Sequence, residues 1–375
     1  MAKDQKTRLD YILVGVVGVL LTLGVLIIAS VSASLSQENF NNPFYFLKHQ
    51  ILFGVLPGLA LGFLAYKIRL NLLKKWALVL LLINLILSAM VFLPKIGMTL
   101  GGASRWLAIG SFTIQPSEFL KLTFIVYLAN WLASRTPRQK FAEKHLQKGF
   151  SQTLIAFLIV LGIVSLLLIF QPDVSTLGII ILTAGIMYFL SGTPIWHSIL
   201  IILMGAGGII SLVKLASYRM KRWTVFLNPE TDPLGIGYQI KQALIAVGSG
   251  GIFGLGLGMS RQKFGFLPQS MSDSIFAIIS EEIGFLGAVI LILLFLILLW
   301  RGFKIAKNAK DKFSQLLAIG ITSWIILQAL INMGSMVAIL PLSGIPLPFI
   351  SYGGSALVTE LIGIGLLLNI SKNTS

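Results

Sequence analysis

Long uninterrupted apolar runs constrain this chain more than any other feature of its sequence. Tyr11–Ser30, Leu73–Phe92, Thr153–Phe170 and Ala277–Trp300 are close to or above the roughly 20 residues that a helix needs to cross hydrocarbon. Unbroken runs without two-residue alternation exclude a membrane β-barrel. Because 56% of the residues are hydrophobic and only 11% are charged, no soluble core can hide this surface. The sequence predicts an all-α polytopic membrane protein.

Ten membrane spans are predicted, and the whole chain, residues 1–375, is interpreted as one membrane domain. The predicted spans are Tyr11–Ser30, Ile51–Tyr66, Leu73–Phe92, Pro116–Ala133, Thr153–Phe170, Val174–Leu190, Pro194–Lys214, Ser274–Trp300, Leu316–Leu340 and Ser351–Ile370. Residues 215–273, between spans seven and eight, form a long extracytoplasmic loop that is expected to be partly helical and to lie along or dip into the bilayer.

The distribution of basic residues predicts the orientation. With a cytoplasmic N-terminus, 18 of the 29 Lys and Arg residues lie in inner segments, including Lys3, Lys6, Arg8 and five in 134–150, and three lie in short outer segments. The positive-inside rule therefore predicts that both termini are cytoplasmic. The apolar run after Arg8 has no small-residue cleavage site, so it is expected to remain as the first helix. The basic residues are dispersed, and no nucleic-acid partner is expected.

Residue usage excludes several kinds of chemistry. The chain has no cysteine, and its three histidines (His49, His145 and His197) are far apart, so thiolate catalysis and a His or Cys metal site are set aside. The glycine-rich stretch Gly248–Gly258 contains GxG spacing, but a nucleotide fingerprint requires a preceding strand in a βαβ unit. It is interpreted as a turn or a close-packing element.

Charged residues inside spans are candidates for function, because they are costly in lipid. Glu118 and Lys121 lie three residues apart on one predicted helix face, as a neutralising structural pair or as part of a site. Asp173 starts the sixth span, where capping alone explains its position. Glu360 lies deep in the last span and is predicted to face the bundle interior.

Asp273 is the most informative acidic residue, because it lies at the predicted outer mouth directly before span eight. A carboxylate beside apolar residues has a raised pKa and can accept a proton as a general base. The structural alternative is that Asp273 caps span eight.

Five separated motifs occur in order on the predicted outer face. They are Gly102-Ala-Ser-Arg105-Trp106 with Gln115-Pro-Ser-Glu118-Phe-Leu-Lys121; Gln171-Pro-Asp173; Gly237-Tyr-Gln239 with Gln242; Gly248–Lys263 followed by Leu267–Phe276; and Gly344-Ile-Pro-Leu-Pro-Phe-Ile-Ser351-Tyr352-Gly-Gly354. Over nearly its whole length the chain resembles the SEDS family (shape, elongation, division and sporulation), membrane glycosyltransferases that polymerise peptidoglycan. Within the family, Ser260-Arg-Gln-Lys263 is more similar to the cell-division branch than to the elongation branch.

The resemblance implies a ten-helix bundle with Asp273 as the catalytic aspartate. The candidate substrate-binding residues are Arg105, Trp106, Gln115, Ser117, Glu118, Lys121, Gln171, Asp173, Gln239, Gln242, Ser260, Gln262, Lys263, Pro268, Ser351 and Tyr352. Arg105, Lys121 and Lys263 are the candidate cations for a diphosphate. The family commonly has Pro-Glu and His-Thr-Asp where this chain has Pro268-Gln269 and Met271-Ser272-Asp273, so one acidic group is lost beside Asp273.

The implied reaction joins two lipid-linked disaccharide-peptides (lipid II) at the outer face of the cytoplasmic (inner) membrane during cell division and releases undecaprenyl diphosphate. The implied partners are a class B penicillin-binding protein transpeptidase and other division proteins. The family implies a divalent cation, Mg²⁺ or Mn²⁺, and no nucleotide, although the sequence shows no ligand cluster for a metal. An elongation-type polymerase, a lipid II flippase and a non-catalytic scaffold stay open as alternatives.

Overall fold

The protein is a bundle of long helices with a small sheet at one end. The computed structural model describes residues 9–94, 96–100, 103–109, 112–135, 146–214 and 217–372, so Lys3, Lys6, Arg8, Lys95, Gly102 and most of the basic segment 134–150 lie outside the described residues. The helices are α1 (Tyr11–Phe40), α2 (Tyr45–Gln50), α3 (Leu56–Lys67), α4 (Leu70–Met90), α5 (Pro116–Arg135), α6 (Leu146–Phe170), α7 (Val174–Leu190), α8 (Ile195–Lys214), α9 (Ser217–Leu227), α10 (Ile236–Ser249), α11 (Ile275–Lys307), α12 (Lys312–Met336) and α13 (Gly354–Lys372). A π-helical turn, Ile51–Val55, joins α2 to α3, and Pro229–Thr231 is a 3₁₀ turn.

Each of the ten predicted spans coincides with helical structure, and the fold is that of a polytopic membrane protein. In the described part of the chain, seven helical segments are long and apolar enough to cross a membrane by length and composition. The apolar helix α7 and the apolar part of α8, Ile195–Gly205, are shorter. Helix α5 carries Glu118 and Lys121 on its buried side. The count of ten spans and the cytoplasmic placement of both termini remain predictions.

The prediction of an all-α chain is wrong for the segment between α4 and α5. This segment forms a three-stranded antiparallel sheet of β1 (Gly97–Leu100), β2 (Ala103–Ile109) and β3 (Phe112–Ile114). Leu107 lies opposite Gly97 on one side and Ile114 on the other. Proline and glycine residues interrupt the segment, and its β-branched and aromatic residues favour strands, so neighbouring strands satisfy its backbone groups.

Helix α11 is broken at Gly284, near its first third. Gly284 has φ 68° and ψ −169°, a backbone conformation that only glycine adopts without strain. A Cβ at Gly284 would lie 2.3 Å from the backbone nitrogen of Gly254. The amide freed at Phe285 donates to the carbonyl of Gly251 at 2.9 Å. The glycine-rich stretch, for which the sequence left a turn or a close-packing element open, packs against the break in α11.

Helix α12 forms the centre of the bundle. Its apolar side chains Leu316, Leu317, Ile321 and Ile325 are fully buried. It packs against α5, α7, α11 and α13, so nearly every face of the helix is covered by protein. A helix that is apolar all round is expected at such a position.

Four segments are predicted to lie on the outer face: 93–115, 171–176, 215–273 and 340–352. Their described parts meet at one end of the bundle. Their contacts are Arg105 Nε to the Gln171 carbonyl (3.3 Å), Ser175 Oγ to the Ser343 carbonyl, Arg222 Nη1 to the Leu342 carbonyl (3.1 Å) and Ser351 Oγ to the Ser272 carbonyl (2.5 Å). At the other end, Arg301 near the end of α11 forms an ion pair with Asp10 at the start of α1. The polar motifs therefore share one end, opposite this ion pair.

Candidate active site

Asp273 lies in the irregular segment that joins α10 to α11, two residues before α11 begins. The N-cap of α11 is Ser274, and no side chain caps its first turn. The Asp273 carboxylate instead has Ser272 Oγ at 2.8 Å from its Oδ1. The alternative that Asp273 caps span eight is therefore wrong. Its carboxylate is half-buried and is not used by the helix that follows it.

The loop of residues 341–352, here called the 341–352 loop, is fastened to the Asp273 segment. Ser351 Oγ donates to the Ser272 carbonyl at 2.5 Å, and the Tyr352 amide donates to the Met271 carbonyl at 2.8 Å. A Cβ built on Gly344 would lie 3.8 Å from Asp273 Oδ2. Gly344 therefore lies against the carboxylate, and its φ of 68° is a conformation that favours glycine.

Burial and the neighbouring polar groups have opposite effects on the pKa of Asp273. Burial raises the pKa of the carboxyl above its ordinary value, and this effect is larger than the opposing hydrogen bonds from Ser272 and Gln239 and the nearby positive charge of Arg222. Arg222, on α9, donates through Nη1 to the carbonyls of Leu342 (3.1 Å) and Ser343 (3.4 Å). An acid and a cation therefore flank the same stretch of the 341–352 loop.

Gln269 occupies the position where the SEDS pattern commonly has a glutamate. Its Oε1 lies 3.0 Å from Ser272 Oγ, the hydroxyl that also contacts Asp273. Gln269 has φ 53°, a left-handed conformation that is uncommon outside glycine. Such strain tends to cluster at functional sites. The neutral amide of Gln269 therefore contacts the Ser272 hydroxyl beside Asp273 without adding a charge.

The Gln171-Pro-Asp173 motif joins α6 to α7 and contacts the sheet and α5. Asp173 Oδ1 accepts the Thr176 amide at 3.4 Å, which confirms the predicted N-cap, and its Oδ2 accepts Ser117 Oγ at 2.9 Å. Arg105 donates to the carbonyls of Gln171 and Pro172. These residues hold the start of α7 against the sheet and α5.

Gln115 ties the start of α5 to the start of α13. Its backbone amide donates to Ser355 Oγ at 3.1 Å, and its side-chain Nε2 donates to Ser117 Oγ at 3.1 Å. Gln171 Nε2 also donates to the Ser88 carbonyl at 2.6 Å. These contacts connect the corner to α4 and α13.

Glu118 and Lys121 form the predicted pair on one face of α5, with 2.8 Å between Glu118 Oε2 and Lys121 Nζ. Lys121 Nζ also donates to Gln328 Oε1 at 2.7 Å, and Gln328 Nε2 donates to Glu360 Oε1 at 3.0 Å. All four side chains are buried, and Glu360 faces the interior as predicted. Lys121 is committed to this internal network, so in this conformation it does not present its charge to a ligand.

Lys263 is committed in the same way at the contact between α1 and α11. Its Nζ lies 3.3 Å from Glu282 Oε1 and 2.9 Å from Ser30 Oγ. Ser260 Oγ donates to Glu281, and the Gln262 amide donates to the same carboxylate at 3.4 Å. The Ser260–Lys263 motif therefore contacts both carboxylates, Glu281 and Glu282, of α11. The Lys263 side chain is the buried ion-pair partner of Glu282.

The remaining predicted residues lie around this end without forming one cluster. Gln239 Nε2 donates at 3.0 Å to the Oγ of Ser274, the residue after Asp273, and Tyr352 OH lies 2.9 Å from His49 Nδ1. Trp106 and Gln242 are half-buried on β2 and α10, and Pro268 is exposed with its carbonyl accepting Ser274 Oγ at 2.8 Å.

Sequence reasoning gave less weight to three residues that the structure places here. The basic stretch Tyr218–Trp223, which contains Arg222, is compatible from its sequence with contacts to lipid head groups or a diphosphate and equally with anchoring at the membrane interface, and Gln328 and Asn332 belong to none of the five motifs. Gln328 and Asn332 are polar residues four apart on the otherwise apolar α12, so they share one helix face. That spacing inside a buried helix is the signal that was available.

In the part of the chain that the structure describes, side chains alone do not form a site for a divalent cation. Among the described ranges, no group of three or more His, Asp or Glu residues lies close enough to hold a metal ion. Asp273 is a single carboxylate, and Glu281 and Glu282 are occupied by the Ser260–Lys263 segment.

Comparisons with known proteins agree with this architecture. The FtsW/RodA/SpoVE family model, described as a cell cycle protein, matches residues 11–375. Stage V sporulation protein E of Bacillus subtilis is 41% identical over 371 residues, which cover 98% of this chain and 98% of the relative. A probable peptidoglycan glycosyltransferase FtsW of Trichlorobacter lovleyi is 38% identical, covering 96% of this chain and 93% of the relative. Sporulation and division relatives are thus similarly close.

Solved structures share the fold. A chain from a peptidoglycan synthase complex that coordinates polymerization and crosslinking superposes with a TM-score of 0.78 at 26% identity, covering 98% of both chains. The rod shape determining protein RodA of Thermus thermophilus superposes with a TM-score of 0.68 at 26% identity, also covering 98% of both chains. From its sequence motifs, its helical bundle and its near full-length relatives, the chain belongs to the FtsW/RodA/SpoVE family.

Proposed function

We propose that this protein is a peptidoglycan glycosyltransferase that polymerises lipid II at the outer face of the cytoplasmic membrane, with Asp273 as its general base. The observation that carries the proposal is the carboxylate of Asp273. It is half-buried, does not cap α11, and lies against Gly344 of the 341–352 loop.

The proposed reaction forms one bond and breaks one. A sugar 4-hydroxyl oxygen of one lipid-linked molecule attacks the anomeric carbon of the other, and its proton passes to Asp273. The anomeric carbon–oxygen bond breaks, and undecaprenyl diphosphate leaves with the electron pair. Burial raises the pKa of Asp273, which makes the carboxylate a stronger base than an exposed aspartate. A single base on one side of the sugar supports direct displacement with inversion.

Arg222 is the cation that we assign to the developing diphosphate charge. Arg105, Lys121 and Lys263 are the candidate cations from the sequence; Lys121 and Lys263 are buried in internal pairs with Glu118 and Glu282, and Arg105 donates to the carbonyls of Gln171 and Pro172. Arg222, on α9, contacts the 341–352 loop beside Asp273, and its positive charge acts on the carboxylate. A fixed cation beside a leaving diphosphate lowers the barrier of the chemical step.

The flippase alternative receives less support from the bundle interior. Movement of a diphosphate across the bilayer needs a polar route through the protein. Towards the opposite end of α12 from Asn332, the buried side chains are the apolar Leu317, Ile321 and Ile325 together with the small hydroxyl side chains Ser314, Thr322 and Ser323. The buried amide side chains of α12, Gln328 and Asn332, lie towards the end that holds Asp273.

Strand synthesis by the purified protein tests the proposal. Wild-type protein with lipid II and a divalent cation should form glycan strands, and Asp273→Asn, which keeps the side-chain shape, should abolish them. Glu230→Gln, on the same extracytoplasmic loop and 81% exposed at its side chain, is the matched control and should retain activity. Strand synthesis by Asp273→Asn at the wild-type rate would refute the base assignment. Transbilayer movement of lipid II without polymer would favour the flippase.

We also propose a division role with a class B penicillin-binding protein as partner, supported by similarity to a chain from a complex that coordinates polymerization with crosslinking. Depletion of the native gene should block septation, with cell elongation continuing. A block confined to sporulation or to elongation would assign the protein to another branch. A non-catalytic scaffold would be indicated by full complementation with Asp273→Asn.

A further inference from the structure

Asn332 connects the backbone of the proposed base to the 341–352 loop. The side chain is fully buried on α12. Its Nδ2 donates to the carbonyl of Asp273 at 2.8 Å and to the carbonyl of Ile345 at 2.7 Å. One amide group therefore holds two backbone segments that are far apart in sequence.

Gln328, four residues earlier on α12, holds the next residue of the same loop. Its Nε2 donates to the Pro346 carbonyl at 3.1 Å and to Glu360 Oε1 at 3.0 Å. Because residues four apart share one helix face, the two amides hold consecutive carbonyls of the loop. Gln328 anchors the loop to the bundle, whereas Asn332 joins the loop to the carbonyl of Asp273 itself.

Two features of this arrangement cost stability. Asn332 Oδ1 is buried and has no hydrogen-bond partner among the described residues. Phe349 has φ 65°, a strained conformation for an aromatic residue, and its amide is held by Glu360 Oε2 at 2.8 Å. An unpartnered buried oxygen and a strained backbone are both unfavourable, and strain of this kind concentrates at functional sites. Stability alone does not explain why the chain holds the loop in this way.

We propose that Asn332 is a positioning residue that sets the placement of the Asp273 carboxylate by joining its backbone carbonyl to Ile345. This inference rests on the proposed function of Asp273 as the base. Asn332 acts through the backbone and does not touch the reacting atoms. The 341–352 loop and the Asp273 segment then form one rigid unit, closed from the other side by Ser351 Oγ on the Ser272 carbonyl.

Rigidity of this unit matters because proton transfer requires hydrogen-bond distance between base and hydroxyl. A displacement of about 1 Å at a reacting group can lower a rate by about 100-fold. Loss of the Asn332 bridge removes the bond between the loop and the backbone of Asp273 itself, while the bonds from Ser351 and Tyr352 to Ser272 and Met271 remain. The carboxylate then gains water, while Ser272, Gln239 and Arg222 remain the groups that act on its charge.

The test measures kcat of strand synthesis across pH for the wild type, Asn332→Ala and Ser335→Ala. Ser335 is the matched control, because it is buried one turn further on α12 and its hydroxyl donates only to the Asn332 carbonyl. Asn332→Ala should lower kcat by about 10- to 100-fold, and its acid limb should move to lower pH as Asp273 becomes hydrated. Ser335→Ala should change neither quantity.

The pH profile separates positioning from a loss of folded protein. Fewer folded molecules scale the rate equally at every pH and leave the acid limb in place. An unchanged kcat, or a uniform fall without movement of the acid limb, would overturn the positioning role. If Asn332→Ala is not recovered folded, Asn332→Ser provides the same measurement, because its hydroxyl is too short to bridge both carbonyls. Inactive wild-type protein would instead contradict the proposed function itself.

Discussion

The buried pair Glu118–Lys121 leads to a prediction about the stability of the folded state. Its test distinguishes a structural role of the two side chains from a role in substrate binding. The change is Lys121→Met, which keeps the length of the side chain and removes its charge. Lys121 is 1% exposed and Glu118 5% exposed at the side chain, with 2.8 Å between their charged atoms. The same ammonium is held by Gln328 Oε1 at 2.7 Å and lies 5.2 Å from the Trp324 ring centroid.

The expected cost follows from these distances. At 2.8 Å and an effective dielectric constant of about 20, the attraction of a unit charge pair is about 6 kcal/mol before desolvation is subtracted. Removing one partner of a buried pair leaves the other charge uncompensated, which costs about 3–5 kcal/mol in measured cases. Lys121→Met also leaves Gln328 Oε1 without its ammonium donor. We expect the free energy of unfolding to fall by about 3–5 kcal/mol.

The assay is an SDS titration in mixed micelles, followed by tryptophan fluorescence. Glu118→Gln combined with Lys121→Met removes both charges and should recover most of the loss, because no unpaired charge of the pair remains. Lys221→Met is the control, since the Lys221–Asp232 pair has a 53% exposed lysine and is expected to contribute about 0–1 kcal/mol. Wild-type stability in Lys121→Met, combined with a raised KM for lipid II, would refute the structural role and return Lys121 to the substrate site.

Two further predictions concern the break in α11 and the pH dependence of activity. Gly284→Ala places a Cβ 2.3 Å from the Gly254 nitrogen at a φ of 68°, so it should lower the midpoint of thermal unfolding. The control Gly178→Ala adds a Cβ that meets nothing within 4 Å and should leave the midpoint near the wild-type value. Equal midpoints for the two variants would show that the fold does not require the break in α11. Asp273 acts as a base only when deprotonated and its pKa is raised by burial, so kcat should be lost, as pH falls, at a higher pH than for an ordinary aspartate. Arg222→Gln removes a charge that lowers this pKa and should move the acid limb of kcat to still higher pH; an unmoved limb would remove Arg222 from the site.

Part of the site was predictable because it depends on local spacing. Glu118 and Lys121 pair because residues three apart share a helix face, and Asp173 caps α7 because a side-chain oxygen at that position reaches free amides. Asp273 was identified from its position before an apolar run and from family resemblance. Only the structure shows that the Asp273 carboxylate does not cap α11.

The sequence by itself determined that the chain is a helical membrane protein, because hydrocarbon requires every spanning segment to satisfy its own backbone, and run length reports this directly. The tertiary structure decided which polar groups serve the site. It paired Lys263 with Glu282, brought Arg222 and Gly344 to Asp273, and placed Asn332 between Asp273 and Ile345. These partners are separated in sequence by 13 residues (Asn332 and Ile345) to 71 residues (Asp273 and Gly344), and periodicity within one helix carries no information about which ends of different helices meet.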